Sequence, residues 1–203
     1  MGAGVAVGQL RPCLWSGVAQ LVHVNGPPGI GKSTLSALYA DRHPGTLNLD
    51  VDVVHRLVGG WTEEDNRTWE VVTPLIRAMA RTQLDGGRDV VVPQYHARPE
   101  EISALEDLAR EQGAAFREVV LLDERSAAIE RFDRRARDDG DPYIQYMRRH
   151  VGSRVGAARL GAMYDALLDL LRLVPDATVV PSTAGAVEET YALLIDALHG
   201  PGG

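Results

Sequence analysis

Apolar residues along this chain follow two alternating rhythms. Short apolar runs at residues 20–25 (QLVHVN), 46–50, 89–93 (DVVVP), 116–122 and 177–180 predict five strands. The unbroken apolar stretch in DVVVP predicts burial on both faces. Between the runs, apolar positions recur at helical spacing. Residues 31–42 predict a helix with Leu35, Leu38 and Tyr39 facing the core, and 53–58 predict a helical turn ended by Gly59 and Gly60. Thr62 with Asp65 resembles a capping pair opening a longer helix, with Trp69, Val72, Ile76 and Met79 as its apolar stripe, Pro74 bending its axis, and Gly86-Gly87 as its stop. Pro99 at the first turn and Gly113 after the last bracket a helix carrying Ile102, Leu105 and Leu108. An Arg-rich helix spans 124–137, a long helical stretch with an interruption near Gly152 or Gly156 spans 142–173, and a closing helix spans 187–198.

Strands alternating with amphipathic helices predict an α/β fold, a five-stranded parallel sheet with helices on both faces. Ligands of such sheets bind beyond the carboxyl ends of the strands. Asn25, Asp50, Asp52, Gln94, Asp123 and Ser182 all fall there. With 203 residues and no internal repeat, the simplest division is a flexible leader at 1–19 and a single domain at 20–199.

Composition narrows the reading in three ways. No apolar run is long enough to span a bilayer, and the first twenty residues lack the basic start of a signal peptide. The single cysteine, Cys13, admits no internal disulfide and suits a reducing cytoplasm. A net charge of −7 disfavours nucleic acid as a partner, which would need a local basic patch working against that field. Oligomeric state is not encoded in any of these features. Of the 21 basic residues, the single lysine is Lys32. A compact ammonium on a flexible stem can follow phosphates into a tight loop where a planar guanidinium is too bulky.

Lys32 closes the segment Gly26, Pro27, Pro28, Gly29, Ile30, Gly31, Lys32, Ser33, Thr34, which satisfies G-x-x-x-x-G-K-[ST] between a predicted strand and a predicted helix. Glycines allow the backbone amides to wrap a polyphosphate, the helix N-terminus adds partial positive charge, and the Ser33 hydroxyl is a ligand for Mg²⁺. The motif therefore predicts ATP with Mg²⁺ as cofactors.

Four segments, GPPGIGKST, DVDVVHRLVGGW, DVVVPQYHARPEE and ERFDRRARDD, together resemble the small P-loop kinases. That group includes shikimate, gluconate and nucleotide kinases and chloramphenicol phosphotransferase, and the likeness extends to bacterial AAA-family ATPases and predicted kinases. The resemblance implies strand order 2-3-1-4-5, an Arg-rich helical lid, and transfer of the γ-phosphate of Mg·ATP to a hydroxyl of a small acceptor. It places Asp52 where a carboxylate commonly binds or deprotonates that hydroxyl. Asp50 and Asp52, two apart on an extended segment, would both face the phosphates. The bland alternative is that Asp52 only caps the following turn. Arg131 and Arg135, with Arg134 and Arg137 nearby, match the lid arginines, against the alternative of a solvated face laced with ion pairs. The third strand ends Val92-Pro93-Gln94 without the carboxylate that often orders the Mg²⁺ shell. Asp50 or Asp123 would then join Ser33 at the metal, or the metal is held by Ser33, phosphates and water.

Acceptor-site candidates come from the same strand ends: Asp50, Arg56, Trp61, Gln94, Tyr95, His96 and Arg98. Trp61 and Trp69 read more simply as packing residues, and Ser182-Thr183 as an approach to the adenine. Three functions stay open at this level: a small-molecule kinase, a kinase of a nucleotide-sugar or nucleic-acid terminus, and an ATP-binding switch with little phosphotransfer.

Overall fold

The computed structural model describes residues 17–62, 67–138 and 154–199. The sheet forms from β1 (Gln20–Asn25), β2 (Leu47–Asn48), β3 (Val90–Pro93), β4 (Ala115–Leu122) and β5 (Thr178–Pro181), in the order β2-β3-β1-β4-β5. All four pairings are parallel, and β1 is central because both of its edges are taken, by β3 and β4. The connections are α1 (Lys32–Arg42), α2 (Val51–Arg56), α3 (Thr68–Asp85), α4 (Pro99–Glu111), α5 (Arg125–Asp138) and α6 (Arg154–Leu171), and α7 (Val187–His199) closes the chain. The α/β architecture and its strand order are those expected.

Strand alternation divides the core. Val22, Val24, Val91, Val119 and Leu121 face α1 and α7, where Leu35, Tyr39 and Leu194 meet them. Leu21, Val90 and Val92 face the other way, against Val72, Ile76, Leu84 and Leu108 of α3 and α4. Val120, also on that side, packs with Leu167 and Leu170 of α6. Every one of these side chains is buried, as a sheet covered on both faces demands.

Several boundaries differ from expectation, each for a local reason. β2 has only two residues, because helix starts at Val51 rather than Val53. Asp50 is the cap that starts it: its Oδ1 accepts from the amides of Asp52 (3.0 Å) and Val53 (3.4 Å). The helix around Trp69 begins at Thr68, after Arg67, and residues 63–66 with the Asp65 half of the expected capping pair lie outside the described residues. Its buried stripe is Val72, Ile76, Ala80 and Leu84, a strict i+4 row, so Met79 is turned outward and Ala80 inward. Pro74 sits inside that helix on its exposed side. The expected helical stretch from 142 is described from Arg154 onward. Among the described residues no helix is long and apolar enough to cross a membrane.

The packing gives a paired test. Leu194 of α7 is fully buried, while its neighbour Leu193 is 41% exposed. Leu194→Ala should lower the unfolding free energy in urea by about 2–5 kcal/mol. Leu193→Ala should stay within about 0.5 kcal/mol of the parent.

Candidate active site

The loop between β1 and α1 is shaped by contacts that exclude side chains. Gly26 has φ 145°, and a Cβ there would stand 2.7 Å from the Leu121 carbonyl oxygen and 2.9 Å from Ile30 Cγ2. Neither neighbour can yield, since one is sheet backbone and the other a fully buried core side chain. Gly31 has φ 112° and is the N-cap of α1, which has neither a side-chain cap nor an acidic residue in its first turn. The first amides of α1 are thereby left without the carboxylate that usually satisfies them, which suits an external anion.

Ile30 anchors the loop twice. Its side chain lies in the core, and its carbonyl accepts from Arg131 Nη2 (3.0 Å) and Ser182 Oγ (2.9 Å). Lys32 Nζ donates to the carbonyls of Gly26 (2.8 Å) and Pro27 (3.1 Å), holding the ammonium over the loop mouth. Ser33 and Thr34, the next two residues, are exposed at the start of α1. Glycine geometry, helix amides without a side-chain cap, an ammonium and an exposed hydroxyl form the set that a polyphosphate with a hydrated cation requires.

The other expected site residues are distributed as follows. Asp50 and Asp52 do not share an extended segment, because Asp50 caps α2 and Asp52 occupies its first turn. Two consequences correct the sequence reading: strand alternation does not aim both carboxylates the same way, and the capping role belongs to Asp50 rather than Asp52. As a metal or substrate group, Asp50 has its Oδ1 already engaged. Arg56 is half-buried at the last turn of α2. Trp61 and Trp69 both pack on His55, at ring-centroid distances of 6.4 and 4.3 Å. His55 Nε2 lies 2.8 Å from Thr68 Oγ1, and burial lowers the His55 pKa.

On the β1–β4–β5 side, Arg131 is held inward. Its Nη1 donates to the Ser182 carbonyl (2.6 Å) and to Asp123 Oδ2 (3.3 Å), so Arg131 braces the loop against the ends of β4 and β5. Ser182 meets the loop backbone, and Asp123 is paired with Arg131. Arg134 forms an exposed i,i+4 pair with Glu130, and the side chains of Arg135 and Arg137 lie outside the described residues. Among the described residues no group of three acidic, His or Cys side chains is placed to hold a metal.

The segment after β3 is more ordered than its sequence suggests. The Tyr95 hydroxyl donates to the Met163 carbonyl of α6 (2.9 Å), which turns this acceptor candidate into the helix layer. Arg98 is exposed and paired with Glu101. The His96 ring lies tilted against that of His23, centroids 4.9 Å apart, and its buried Nδ1 has no hydrogen-bond partner among the described residues. Burial, with His23, Arg98 and Lys32 adding repulsion, pushes the His96 pKa down to about 4 despite the opposing pull of Glu101.

Sequence reasoning missed the group beneath His96. His23 and Glu118 are register partners on β1 and β4, both buried, with Nδ1 2.5 Å from Oε2. The only local signal was polarity at positions that strand alternation assigns to the core.

Residues 21–154 match the family model AAA_33, described as an AAA domain. No curated protein matches the chain in sequence. Among solved structures it is similar to a gluconokinase from Sinorhizobium meliloti 1021, with 19% identity, coverage of 90% of this chain and 93% of that one, and a TM-score of 0.57. A tunicamycin resistance protein from Deinococcus radiodurans has 18% identity, 90% and 96% coverage, and a TM-score of 0.58. A candidate kinase from Chloroflexus aurantiacus j-10-fl has 15% identity, 90% and 97% coverage, and a TM-score of 0.62.

The buried imidazole of His96 makes stability depend on pH. Its folded pKa lies below the ordinary 6.5, so the unfolded chain binds more protons between about 6.5 and 4. Stability contributed by the neutral ring is complete above 6.5 and lost as pH falls toward 4. In urea titrations at pH 7 and pH 4.5, the parent should lose on the order of 2 kcal/mol more than His96→Gln. Equal losses would show that the ring does not titrate as described.

Proposed function

Because the chain belongs to the AAA domain family and its glycine loop presents a polyphosphate donor set, we propose that it is an ATP-dependent phosphotransferase acting on a hydroxyl of a small molecule. The observation that carries the proposal is the loop itself. Gly26 fits where no side chain can, Gly31 opens an uncapped helix, and Lys32 hangs over the mouth. Phosphoryl transfer asks a protein mainly for positioning and charge neutralisation, which this apparatus supplies.

In this reading the amides of 29–34 and Lys32 bind the β- and γ-phosphates. Bound Mg²⁺ would supply further neutralisation, held by Ser33 with phosphate oxygens and water, since no acidic cluster stands ready among the described residues. Asp52, in the first turn of α2, receives the acceptor's hydroxyl proton, and Asp50 positions it by bonding its amide. Arg56, Gln94 and His96 contribute to the acceptor side, with His96 acting as a neutral group at physiological pH. Arg131 serves as a brace of the loop, and the direct phosphate contacts of the Arg-rich helix fall to residues beyond Arg134, Arg135 first. The gluconokinase and the tunicamycin resistance protein share the fold, and a polyhydroxylated acceptor or secondary metabolite is the substrate class they suggest.

A second reading is favoured by one observation. β3 ends Val92-Pro93-Gln94 with no carboxylate, which suits a nucleotide-binding switch with slow turnover. A mass-spectrometric screen of hydroxylated metabolites with Mg·ATP separates the two: products heavier by one phosphate support the transferase, and ATP binding without any product supports the switch.

Lys32→Ala should weaken ATP binding by about 10–100-fold, as loss of a charge-assisted contact does. Once an acceptor is in hand, Asp52→Asn should lower kcat by roughly 10²–10⁴-fold with little change in ATP affinity. Full activity in Asp52→Asn would remove the residue from the chemistry.

A further inference from the structure

The buried polar group under the loop has a hydrogen-bond pattern that fixes two separate segments at once. Asn25 is the last residue of β1, fully buried, and all of its side-chain capacity is used. Its Oδ1 accepts from the amides of Gly26 (2.8 Å) and His96 (3.1 Å). Its Nδ2 donates to the His96 carbonyl (2.9 Å) and to Glu118 Oε1 (3.1 Å). A single amide thus clasps the first residue of the phosphate loop and both backbone groups of the acceptor-side residue His96.

Glu118 holds that amide in the direction that the Gly26 and His96 N–H groups also require. A carboxylate oxygen only accepts from an amide, so Nδ2 must face it, and the flipped amide would bring two acceptors together. Glu118 in turn is held by His23, whose Nδ1 lies 2.5 Å from Oε2 and whose Nε2 lies 3.1 Å from the Gln94 carbonyl oxygen. That carbonyl requires a proton on Nε2, and the short contact holds one more proton between Nδ1 and Oε2. The pair is therefore neutral overall wherever that proton sits, a form in which burial is tolerable. His23 also bonds the segment 94–96 a second time, through Gln94, and supports the His96 ring from below.

We propose that Glu118, with His23, is a positioning residue that makes the phosphate loop and the acceptor-side segment 94–98 move as one body, so that nucleotide bound at the loop is sensed at His96. The coupling runs from the Gly26 amide through Asn25 to the His96 backbone, with Glu118 bracing the Asn25 amide from beneath. It rests on the reading that the loop binds nucleotide. Neither Glu118 nor His23 touches the ligand in this scheme. Their alternative is a purely structural role, in which the group only fills space between sheet and helices. The two roles differ in what happens when the charge is removed but the shape and bonding are kept. A glutamine at 118 can donate from its amide to Nδ1 and accept from Asn25, so the link survives. A leucine fills the space but removes the bonds that brace the Asn25 amide and the His23 ring from that side.

The test is a titration of the full chain with Mg·ADP, followed by calorimetry and by the amide resonances of Gly26 and His96. In the parent both resonances should shift along the same binding curve. Glu118→Gln should keep both responses. Glu118→Leu, in protein that still melts cooperatively, should keep the Gly26 response, lose most of the His96 response, and bind Mg·ADP about tenfold more weakly. If Glu118→Leu retains the full His96 response and affinity, the proposal fails and the group is structural. If Glu118→Leu does not fold, Asn25→Ala is read in its place, with the same expected loss at His96. A His96 resonance that ignores bound Mg·ADP in the parent overturns the coupling without any variant. Absence of Mg·ADP binding in the parent would instead overturn the nucleotide-binding reading beneath it.

Discussion

The site depends on one steric constraint, the passage of the chain out of the central strand past the carbonyl of Leu121. At Gly26 there is no room for a β-carbon, because β4 runs alongside and Ile30 closes the space from the core. That exit starts the backbone on a path with positive φ at Gly26, Gly29 and Gly31, which ends at a helix whose first amides have no side-chain partner. Burial of Ile30 gives this strained path a fixed point. The fold thus converts hydrophobic free energy, spent around β1, into a rigid array of donors at the sheet's carboxyl edge.

Around that array the structure uses each strand end differently. The end of β2 is closed by Asp50, which caps α2, and Asp52 lies two residues on, in that helix's first turn. The end of β3 is tied to β1 by Asn25 and His23, and the ends of β4 and β5 are tied to the loop by Arg131 and Ser182. The loop is therefore gripped from both sides of the sheet, by buried or half-buried groups whose bonds are protected from water.

Much of this was legible in the sequence where the cause is local. An apolar run such as VVVP and a motif such as GPPGIGKS carry their structural reasons within a few residues. The misreadings came where two residues of similar chemistry compete. Asp50 and Asp52 are both good caps, and only the backbone angle at Asp50 decides between them. Met79 and Ala80 are adjacent on a helix, and the stripe passes through the smaller one because it continues Val72 and Ile76 in steps of four. His23 and Glu118 stayed invisible for a different reason. Each looks like an ordinary polar residue in a strand, and their meeting depends on the register of two strands separated by 95 positions. No local pattern encodes such a register. The inward set of Tyr95 toward α6 is equally non-local.

The resting place of the Lys32 ammonium has an effect on which anions can enter. Two of its three N–H donors are engaged by carbonyls of its own loop, so a guest that needs either of them must displace a carbonyl first. A lone carboxylate or halide would gain one charged contact from that exchange, whereas a chain of phosphates, under the proposed reading, would engage the helix amides at the same time. On that reading the loop would favour a polyphosphate over the commonest small anions, through two bonds it makes to itself.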